Sequence, residues 1–325
     1  MKAFYSDHFV LPLPAGHRFP MGKYSRLRDR VAGELPEVDL IEAAAARDGV
    51  LALAHWPDYI ERVAGGHMTD AEMRAIGFPW SAAMVERSRR STGATIGACR
   101  AAVAEGVGAS LAGGTHHAFA NSGHGYCVFN DVAVATRLLQ AEAAGAQRQL
   151  RVAIIDLDVH QGDGTASIFA GDDSVFTLSL HAEKNFPFRK QASALDVGLP
   201  DGATDDEYLA ALDAALATMR ARFAPELIVY LAGADAHEGD RLGRLKLTIA
   251  GMAARDQCVF DLAARSRLPI AVVMGGGYGR DIDVTVAVHR NTIHAALRAW
   301  RERRTDLSRA EFVAAAGVLA NASVA

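Results

Sequence analysis

Four short stretches of the chain are almost continuously apolar and rich in aliphatic or β-branched residues. They cover residues 151–158, 174–180, 226–232 and 269–274. A strand that is buried on both faces of a sheet needs such a run, because neither face can present polar side chains to the core. The pattern therefore predicts four buried strands.

Longer stretches between and after these runs carry apolar residues at helical spacing. Thr204 and Glu207 have the spacing of a capping box, and Asn130 can cap a second helix. A third helix is predicted over residues 281–300. The predicted apolar stripes are Val132, Ala135 and Leu139; Leu209, Leu212, Leu216 and Met219; and Val286, Ile293, Leu297 and Trp300.

The alternation of strands and helices predicts an α/β fold, in which helices cover both faces of a mostly parallel sheet. No repeat, low-complexity linker or block of like charge divides residues 1–325, so we expect a single domain. Ligands bind at the carboxyl ends of the strands in open parallel sheets. Polar residues follow the predicted strands, so the chemistry is expected within segments 113–131, 156–163, 233–240 and 274–280.

The composition excludes several classes of protein. Half of the 325 residues are hydrophobic, 22% are charged and the formal net charge is −4. Such a chain can bury a large core, and it lacks the basic excess that predicts direct binding to nucleic acid or to an anionic membrane. Its three cysteines form no CxxC pair, and neither an 18-residue apolar stretch nor a signal-peptide pattern is present. We therefore expect a soluble cytoplasmic protein, whose oligomeric state the sequence leaves open.

The segment 156–164 carries the clearest metal-binding signal. Asp158 and His160 are two residues apart at the end of a predicted strand, so both side chains point to the same side. Asp235 follows another predicted strand and is a candidate third ligand, with His237 as its rival. Two carboxylates and one imidazole suit a divalent metal and leave a coordination position open, as a catalytic site requires. The alternatives are a solvated acidic loop and an aspartate that only caps a turn.

Two further segments carry candidate catalytic side chains. His116 and His117 follow Gly113 and Gly114, which predicts a turn, and paired histidines near carboxylates suit general acid and base chemistry. They could instead be metal ligands or satisfied surface histidines. Tyr278 follows three glycines at a strand end and could donate a hydrogen bond to a developing oxyanion. A phosphate cradle is the alternative there, but the segment matches no GxxxxGK[ST] or GxGxxG pattern.

With these residues in place, the sequence resembles the histone deacetylase and acetylpolyamine amidohydrolase superfamily, whose fold is arginase-like. The resemblance rests on ordered motifs at residues 114–118 and 125–130, 156–164, 233–235 and 275–278. Gln161, the glycine pair before His116 and residues 90–96 are similar to the class IV branch and its bacterial relatives. The resemblance implies one three-layer domain in which helices flank a central, mostly parallel sheet.

The resemblance also implies two metal ions. A catalytic zinc would bind Asp158, His160 and Asp235, and iron could replace it in the cell. A structural potassium would lie beside it. Its ligands would be Ser179 and the main-chain oxygens of Asp156, Asp158, His160 and Leu180.

Catalytic roles follow from the same resemblance. His117 matches the histidine that acts as general base and then as general acid, with Asp163 as its carboxylate partner. His116, paired with Asp156, matches the histidine that supplies electrostatic support. Tyr278 matches the tyrosine that polarises the scissile carbonyl together with the metal.

The substrate channel is implied in the same way. Gly125 and Tyr126, with Phe186 or Phe188, match the walls of a narrow channel for an acyl-lysine side chain. Leu242 stands where the polyamine-specific branch carries an acidic residue. The leucine favours an acyl-lysine against an apolar wall over a cationic polyamine.

These features predict a zinc-dependent protein lysine deacylase, which hydrolyses the amide of an acetyl-lysine or longer acyl-lysine in a protein or peptide. The alternative among enzymes is an amidohydrolase of acetylpolyamines or other small acetylated amines. Arginase-like ureohydrolase chemistry is disfavoured, because Gln161 and Gly162 interrupt the DxHxD-type loop that would hold a second metal. A non-catalytic acyl-lysine reader would have no use for a proton-transferring histidine. The role of residues 11–30 is left open.

Overall fold

The computed structural model describes the backbone of residues 1–322 and the side chains of residues 1–305. Eight strands and ten helices form within this part of the chain. In chain order the strands are β1 (Lys2–Tyr5), β2 (Asp39–Glu42), β3 (Val107–Ser110), β4 (Val152–Asp156), β5 (Val175–Ala182), β6 (Leu195–Leu199), β7 (Leu227–Ala232) and β8 (Ile270–Met274). The helices are α1 (Gly22–Glu34), α2 (Asp48–Leu51), α3 (Pro57–Gly65), α4 (Asp70–Ile76), α5 (Ala82–Glu105), α6 (Asp131–Gly145), α7 (Asp163–Ile168), α8 (Asp205–Arg222), α9 (Ile249–Arg265) and α10 (Ile282–Ala322).

The strands form one sheet in the order β2-β1-β3-β8-β7-β4-β5-β6, and every neighbouring pair is parallel. Successive residues of a strand face opposite sides, and both sides are buried. Ile155 packs in a cluster with residues of α1, α8, α9 and α10, whereas Ile154 packs with residues of α2 to α6. This arrangement confirms the predicted three-layer α/β fold.

The four predicted strands are present as β4, β5, β7 and β8, with boundaries shifted by one or two residues. Four further strands, β1, β2, β3 and β6, were not predicted. Three of them have only four residues, and the fourth, β6, alternates between partly buried and exposed positions at the sheet edge. None of them contains the long apolar run that marks a central strand.

The predicted helix starts are also present. Ala133 donates its N–H to Asn130 Oδ1 at 3.0 Å, and Thr204 donates its N–H to Glu207 at 2.9 Å. Asp163 is the first residue of the short helix α7.

The helix predicted over 281–300 continues as α10 to Ala322, because no proline interrupts this alanine- and arginine-rich segment. Within the described part of the chain, no helix combines the length and hydrophobicity needed to cross a membrane.

The order of the strands determines where the candidate residues meet. Strands β3, β8, β7 and β4 are consecutive neighbours, and because they are parallel their carboxyl ends share one edge of the sheet. The segments that follow them are 111–117, 275–280, 233–240 and 157–163. Four loops from distant parts of the sequence therefore converge at a single edge.

Candidate active site

The loop after β3 places two adjacent histidines at this edge. Gly113 and Gly114 have φ values of +93° and +66°, which side chains rarely tolerate, and a turn at His116 and His117 follows. Asp131, the first residue of α6, accepts the N–H groups of Gly114 and Thr115 at 3.1 and 2.7 Å. A buried carboxylate thus holds the loop in its reversed path.

Each histidine donates to its own buried carboxylate. His116 Nδ1 lies 2.6 Å from Asp156 Oδ2, and His117 Nδ1 lies 2.7 Å from Asp163 Oδ1. Burial lowers the pKa of both rings. At His116, the charges of Asp156 and Asp158 outweigh the effect of burial and raise the pKa to about 9. At His117, burial and the charge of the neighbouring His116 together lower the pKa to about 4. His117 is therefore neutral near pH 7 and can accept a proton.

Asp158, His160 and Asp235 form a compact, buried donor set. His160 Nδ1 lies 3.0 Å from Asp158 Oδ1 and 3.2 Å from Asp235 Oδ2. One donor atom from each residue lies within 4.8 Å of the others. This distance suits three ligands of one metal ion, and His237, the rival ligand, is not part of the set.

The electrostatics of this set favour a cation. Burial opposes the ionisation of Asp158, but the charge of His116 and a hydrogen bond from His160 hold its pKa well below the usual range. Burial and the charge of Asp158 raise the pKa of Asp235 to about 7. Asp235 Oδ2 is buried, and its 3.2 Å contact with His160 Nδ1 lacks hydrogen-bond geometry, so this oxygen has no hydrogen-bond partner among the described residues. Two carboxylates and an imidazole with an unpartnered oxygen between them fit a divalent metal.

The glycines after β8 let the backbone come close to this set. Gly276 donates its N–H to Asp158 Oδ2 at 2.7 Å. A Cβ atom at this position would overlap Asp235 Oδ2 and lie 2.8 Å from Asp158 Oδ2. Any larger residue at this position would displace the carboxylates, so the position requires glycine.

We expect Gly276→Ala to weaken metal binding by roughly 10–100-fold, because the methyl group must displace a carboxylate oxygen of the candidate ligand Asp235. Competition with a chelator of known affinity measures this loss. Gly33→Ala is the matched control, since a Cβ at Gly33 in α1 would meet nothing within 4 Å. Equal metal affinity of Gly276→Ala and the unmodified protein would show that the carboxylates do not hold the metal.

Tyr278 reaches the same site from the end of β8. Asp240 Oδ2 accepts the N–H of Tyr278 at 2.6 Å, and Arg241 Nε donates to its carbonyl at 2.8 Å. The segment that carries Asp235 therefore also fixes the backbone of Tyr278 on both sides. Burial raises the pKa of the Tyr278 phenol well above its usual value, so the hydroxyl remains a hydrogen-bond donor.

Two buried cations that the sequence analysis did not single out support these loops. Arg255 of α9 donates to the carbonyls of Gly233 and Leu157 at 2.6 and 3.2 Å, and Asp256 balances its charge. Lys23 of α1 donates to two carbonyls of the glycine run before Tyr278. Arg255 lies on the buried face of α9. A charged residue at such a position of a helical pattern was the one sequence signal that could have indicated its role.

A cleft of about 590 Å³ leads from the surface to the candidate residues. It is lined by His117, His160, Tyr278, Gly125, Phe186 and Leu242, among others. A more open groove of about 670 Å³ beside α2 and α3 shares no residue with it. The cleft thus leads to the candidate metal-binding set, which consists of Asp158, His160 and Asp235.

The residues proposed for the channel take different positions on this cleft. The Phe186 ring lies 4.9 Å from the His117 ring, edge to face, whereas Phe188 at the rim is 84% exposed. A Cβ at Gly125 would lie 2.7 Å from the His117 ring, so the wall needs a glycine there. Tyr126 also lines the cleft, and its ring lies 5.8 Å from that of Tyr278.

The residues proposed for potassium lie on neighbouring segments. Asp156 and Ser179 are register partners on β4 and β5, and Leu180 follows directly. The N–H of Ala182 donates to the carbonyl of Val159, so β5 continues beside the loop that carries Asp158 and His160. Ser179 Oγ lies 3.0 Å from His181 Nδ1. The structure brings these residues side by side, and the cation itself stays a prediction.

Comparison with known proteins agrees with this geometry. The model of the histone deacetylase domain family matches residues 17–293. An uncharacterized protein of Picosynechococcus sp. is 41% identical over 296 residues, which cover 90% of this chain and 97% of that protein. The histone deacetylase-like amidohydrolase of Pseudomonas aeruginosa is 32% identical, over 82% of this chain and 74% of that protein.

Comparison with solved structures also indicates a histone deacetylase-like fold. The crystal structure of an HDAC homolog from Aquifex aeolicus matches with a TM-score of 0.76 and 25% identity, over 91% of this chain and 83% of that one. The family match covers most of the chain and includes every residue of the site described above. The chain therefore belongs to the histone deacetylase family and is an amide-hydrolysing enzyme of the deacetylase type.

Proposed function

We propose that this enzyme is a zinc-dependent protein lysine deacylase, which hydrolyses the amide of an acetyl-lysine or a longer acyl-lysine. One observation carries the proposal: His117 and Tyr278 line the same cleft as His160, which contacts both Asp158 and Asp235. A neutral base, a hydrogen-bond donor and a metal-binding set thus face one space.

A divalent metal at this site supplies an activated water nucleophile and polarises the amide carbonyl. His117 accepts the proton of that water at Nε2, while Asp163 holds Nδ1 and thus orients the ring. The Tyr278 hydroxyl donates to the carbonyl oxygen as negative charge develops on it. The C–N bond then breaks, and His117 returns the proton to the leaving amine. The products are a carboxylate and a free amine.

The second histidine has an electrostatic role in this proposal. His116 is hydrogen-bonded to Asp156 and lies 3.8 Å from Asp158, so its positive charge offsets two buried carboxylates. Its ring centroid is 4.1 Å from that of His117. Burial and this charged neighbour lower the pKa of His117 and keep the ring neutral, which is the state that a general base needs.

The walls of the cleft support an acyl-lysine over a polyamine. Phe186 and Leu242 offer apolar surface to an alkyl chain, and no aspartate or glutamate side chain is among the residues that line the cleft in the described part of the chain. A polyamine carries further ammonium groups along its length. An apolar wall and a lack of carboxylates give those groups no partner.

The remaining features of the proposal concern the ions and the whole chain. Zinc fits the oxygen and nitrogen donors of Asp158, His160 and Asp235, and iron is the alternative ion in the cell. We further propose a structural potassium at Asp156, Asp158, His160, Ser179 and Leu180.

The single sheet supports one domain over residues 1–325, of which the last three lie outside the described residues. The three free cysteines are consistent with the reducing cytoplasm.

Turnover of matched substrates tests this function. We expect a neutral acetyl-lysine peptide and its longer-acyl analogues to be hydrolysed after zinc is restored to chelated enzyme. Acetylputrescine and acetylspermidine should be hydrolysed with at least about tenfold lower kcat/KM, a difference worth about 1.4 kcal/mol. Faster hydrolysis of the acetylpolyamines would support the small-amine alternative instead. Peptide binding without hydrolysis would point to a reader.

A further inference from the structure

The mouth of the cleft is cationic. Arg18, Arg74, Lys184 and Arg244 line it, and Arg241 lines an adjoining chamber. Within the described side chains, only Arg244 of these five residues forms an ion pair, with Asp201 at 3.0 Å. An excess of positive charge therefore surrounds the opening, although the chain as a whole has a net charge of −4.

The adjoining chamber has a volume of about 320 Å³ and is lined by Arg18, Arg241, Leu242 and Tyr278. Three of these residues also line the cleft, so the two spaces meet beside Tyr278. The chamber is thus a recess at the mouth with two guanidinium groups in its wall.

Arg241 is held in place before any substrate binds. Its Nε donates to the carbonyl of Tyr278 at 2.8 Å and its Nη2 lies 3.4 Å from the carbonyl of Arg18. Asp240, the adjacent carboxylate, faces inward and accepts N–H groups of Leu242, Gly243 and Tyr278. The Asp240 carboxylate therefore bonds to backbone N–H groups. In the described part of the chain it forms no ion pair with Arg241.

We infer that the substrate carries a carboxylate on the amine side of its scissile amide, and that Arg18 and Arg241 bind this carboxylate at the mouth of the cleft. The inference rests on the proposed function, in which the amide lies at the metal-binding set and the amine portion extends outward. Two guanidinium groups suit a carboxylate, because each presents parallel N–H donors. The carboxylate belongs either to an acidic residue beside an acyl-lysine in a peptide or to the α-carboxyl group of a free acyl-amino acid.

Three acetyl-lysine peptides that differ only in the two flanking residues test the inference. The flanking residues are aspartate, glutamine or lysine. We expect kcat/KM to be roughly five- to tenfold higher for the aspartate peptide than for the lysine peptide at low salt, because the guanidinium groups attract the carboxylates and repel the ammonium groups. The ratio should fall towards one at about 1 M salt, where charges more than about 3 Å apart are screened.

Two variants assign the preference to this recess. Arg18→Gln should lower the aspartate-to-lysine ratio at least threefold, and Arg18→Glu should invert it. Arg220→Gln is the matched control: this exposed arginine lies at the end of α8, which leads into the opposite edge of the sheet. The control should retain the ratio of the unmodified enzyme.

The two sources of the carboxylate are separated with Nε-acetyl-lysine as the free acid and as its amide. A preference for the free acid that exceeds the preference among peptides points to a small substrate, and the reverse points to an acidic peptide. Hydrolysis of all three peptides at equal rates would overturn the inference and leave the proposed function intact. Absence of hydrolysis of every acyl-lysine substrate would instead overturn the proposed function.

Discussion

Asp158→Ala is expected to yield a protein that no longer retains a divalent metal after dialysis against metal-free buffer. Asp158 Oδ1 accepts the backbone N–H of His160 and also lies against the His160 ring. Asp158 Oδ2 accepts the backbone N–H of Gly276. Truncation therefore removes one of the two proposed carboxylate ligands and also frees the loop that positions a second proposed ligand. We expect the metal affinity to fall by at least about 100-fold, since changes outside the ligand set already cost 10–100-fold. Elemental analysis of the purified protein measures the metal content.

Two further proteins make this result interpretable. Asp158→Asn keeps the size of the side chain and removes its charge, so loss of metal from this variant cannot be attributed to a cavity. Asp173→Ala, at an exposed position between α7 and β5, is the control for the loss of an aspartate elsewhere. Circular dichroism checks that all of these proteins are folded. A stoichiometric metal ion in folded Asp158→Ala would exclude the proposed ligand set.

Tyr278→Phe is expected to lower kcat for an acyl-lysine peptide by about 10²–10³-fold, the usual cost of losing one oxyanion donor. The metal content should not change. The Tyr278 hydroxyl has no hydrogen-bond partner among the described residues, so its removal leaves no protein group unsatisfied. The variant therefore tests the chemistry with little effect on the fold.

Tyr24→Phe, which removes the hydroxyl of a tyrosine that lies close by in α1, should retain activity. His117→Ala should lose a comparable or larger part of kcat, about 10²–10⁴-fold, because it removes the proposed proton carrier. That variant also leaves the Asp163 carboxylate without its imidazole, so its thermal stability must be measured beside its activity. Unchanged turnover by Tyr278→Phe would show that the carbonyl is polarised by other groups.

Much of the fold was predictable because the central strands are buried on both faces. Such strands need continuous apolar runs, and β4, β5, β7 and β8 all have them. The short inner strands β1 and β3 and the edge strands β2 and β6 are stabilised by pairing with their neighbours in the sheet. Their own residues carry little signal, because pairing partners are set by topology and not by local preference.

The candidate site was predictable to a similar degree and for a related reason. Residues with metal-ligand and proton-transfer chemistry stood directly after the apolar runs, and their order resembled a known family. The residues that position them were not predictable in this way. Asp240, Arg255 and Lys23 act through the backbone carbonyls and N–H groups of other loops, and such contacts leave no spacing pattern in the sequence.

The sequence by itself determined the type of fold, the family and the candidate residues for metal binding and proton transfer, since these depend on local hydrophobic periodicity and on motif order. Only the tertiary structure decided that β3, β8, β7 and β4 are neighbours, and hence that four loops share one edge of the sheet. It also brought Arg18, from a segment whose role was open, next to Arg241 and Tyr278. Such juxtapositions depend on the packing of elements that are far apart in the sequence, up to 223 residues for Arg18 and Arg241, and no local pattern carries information over such distances.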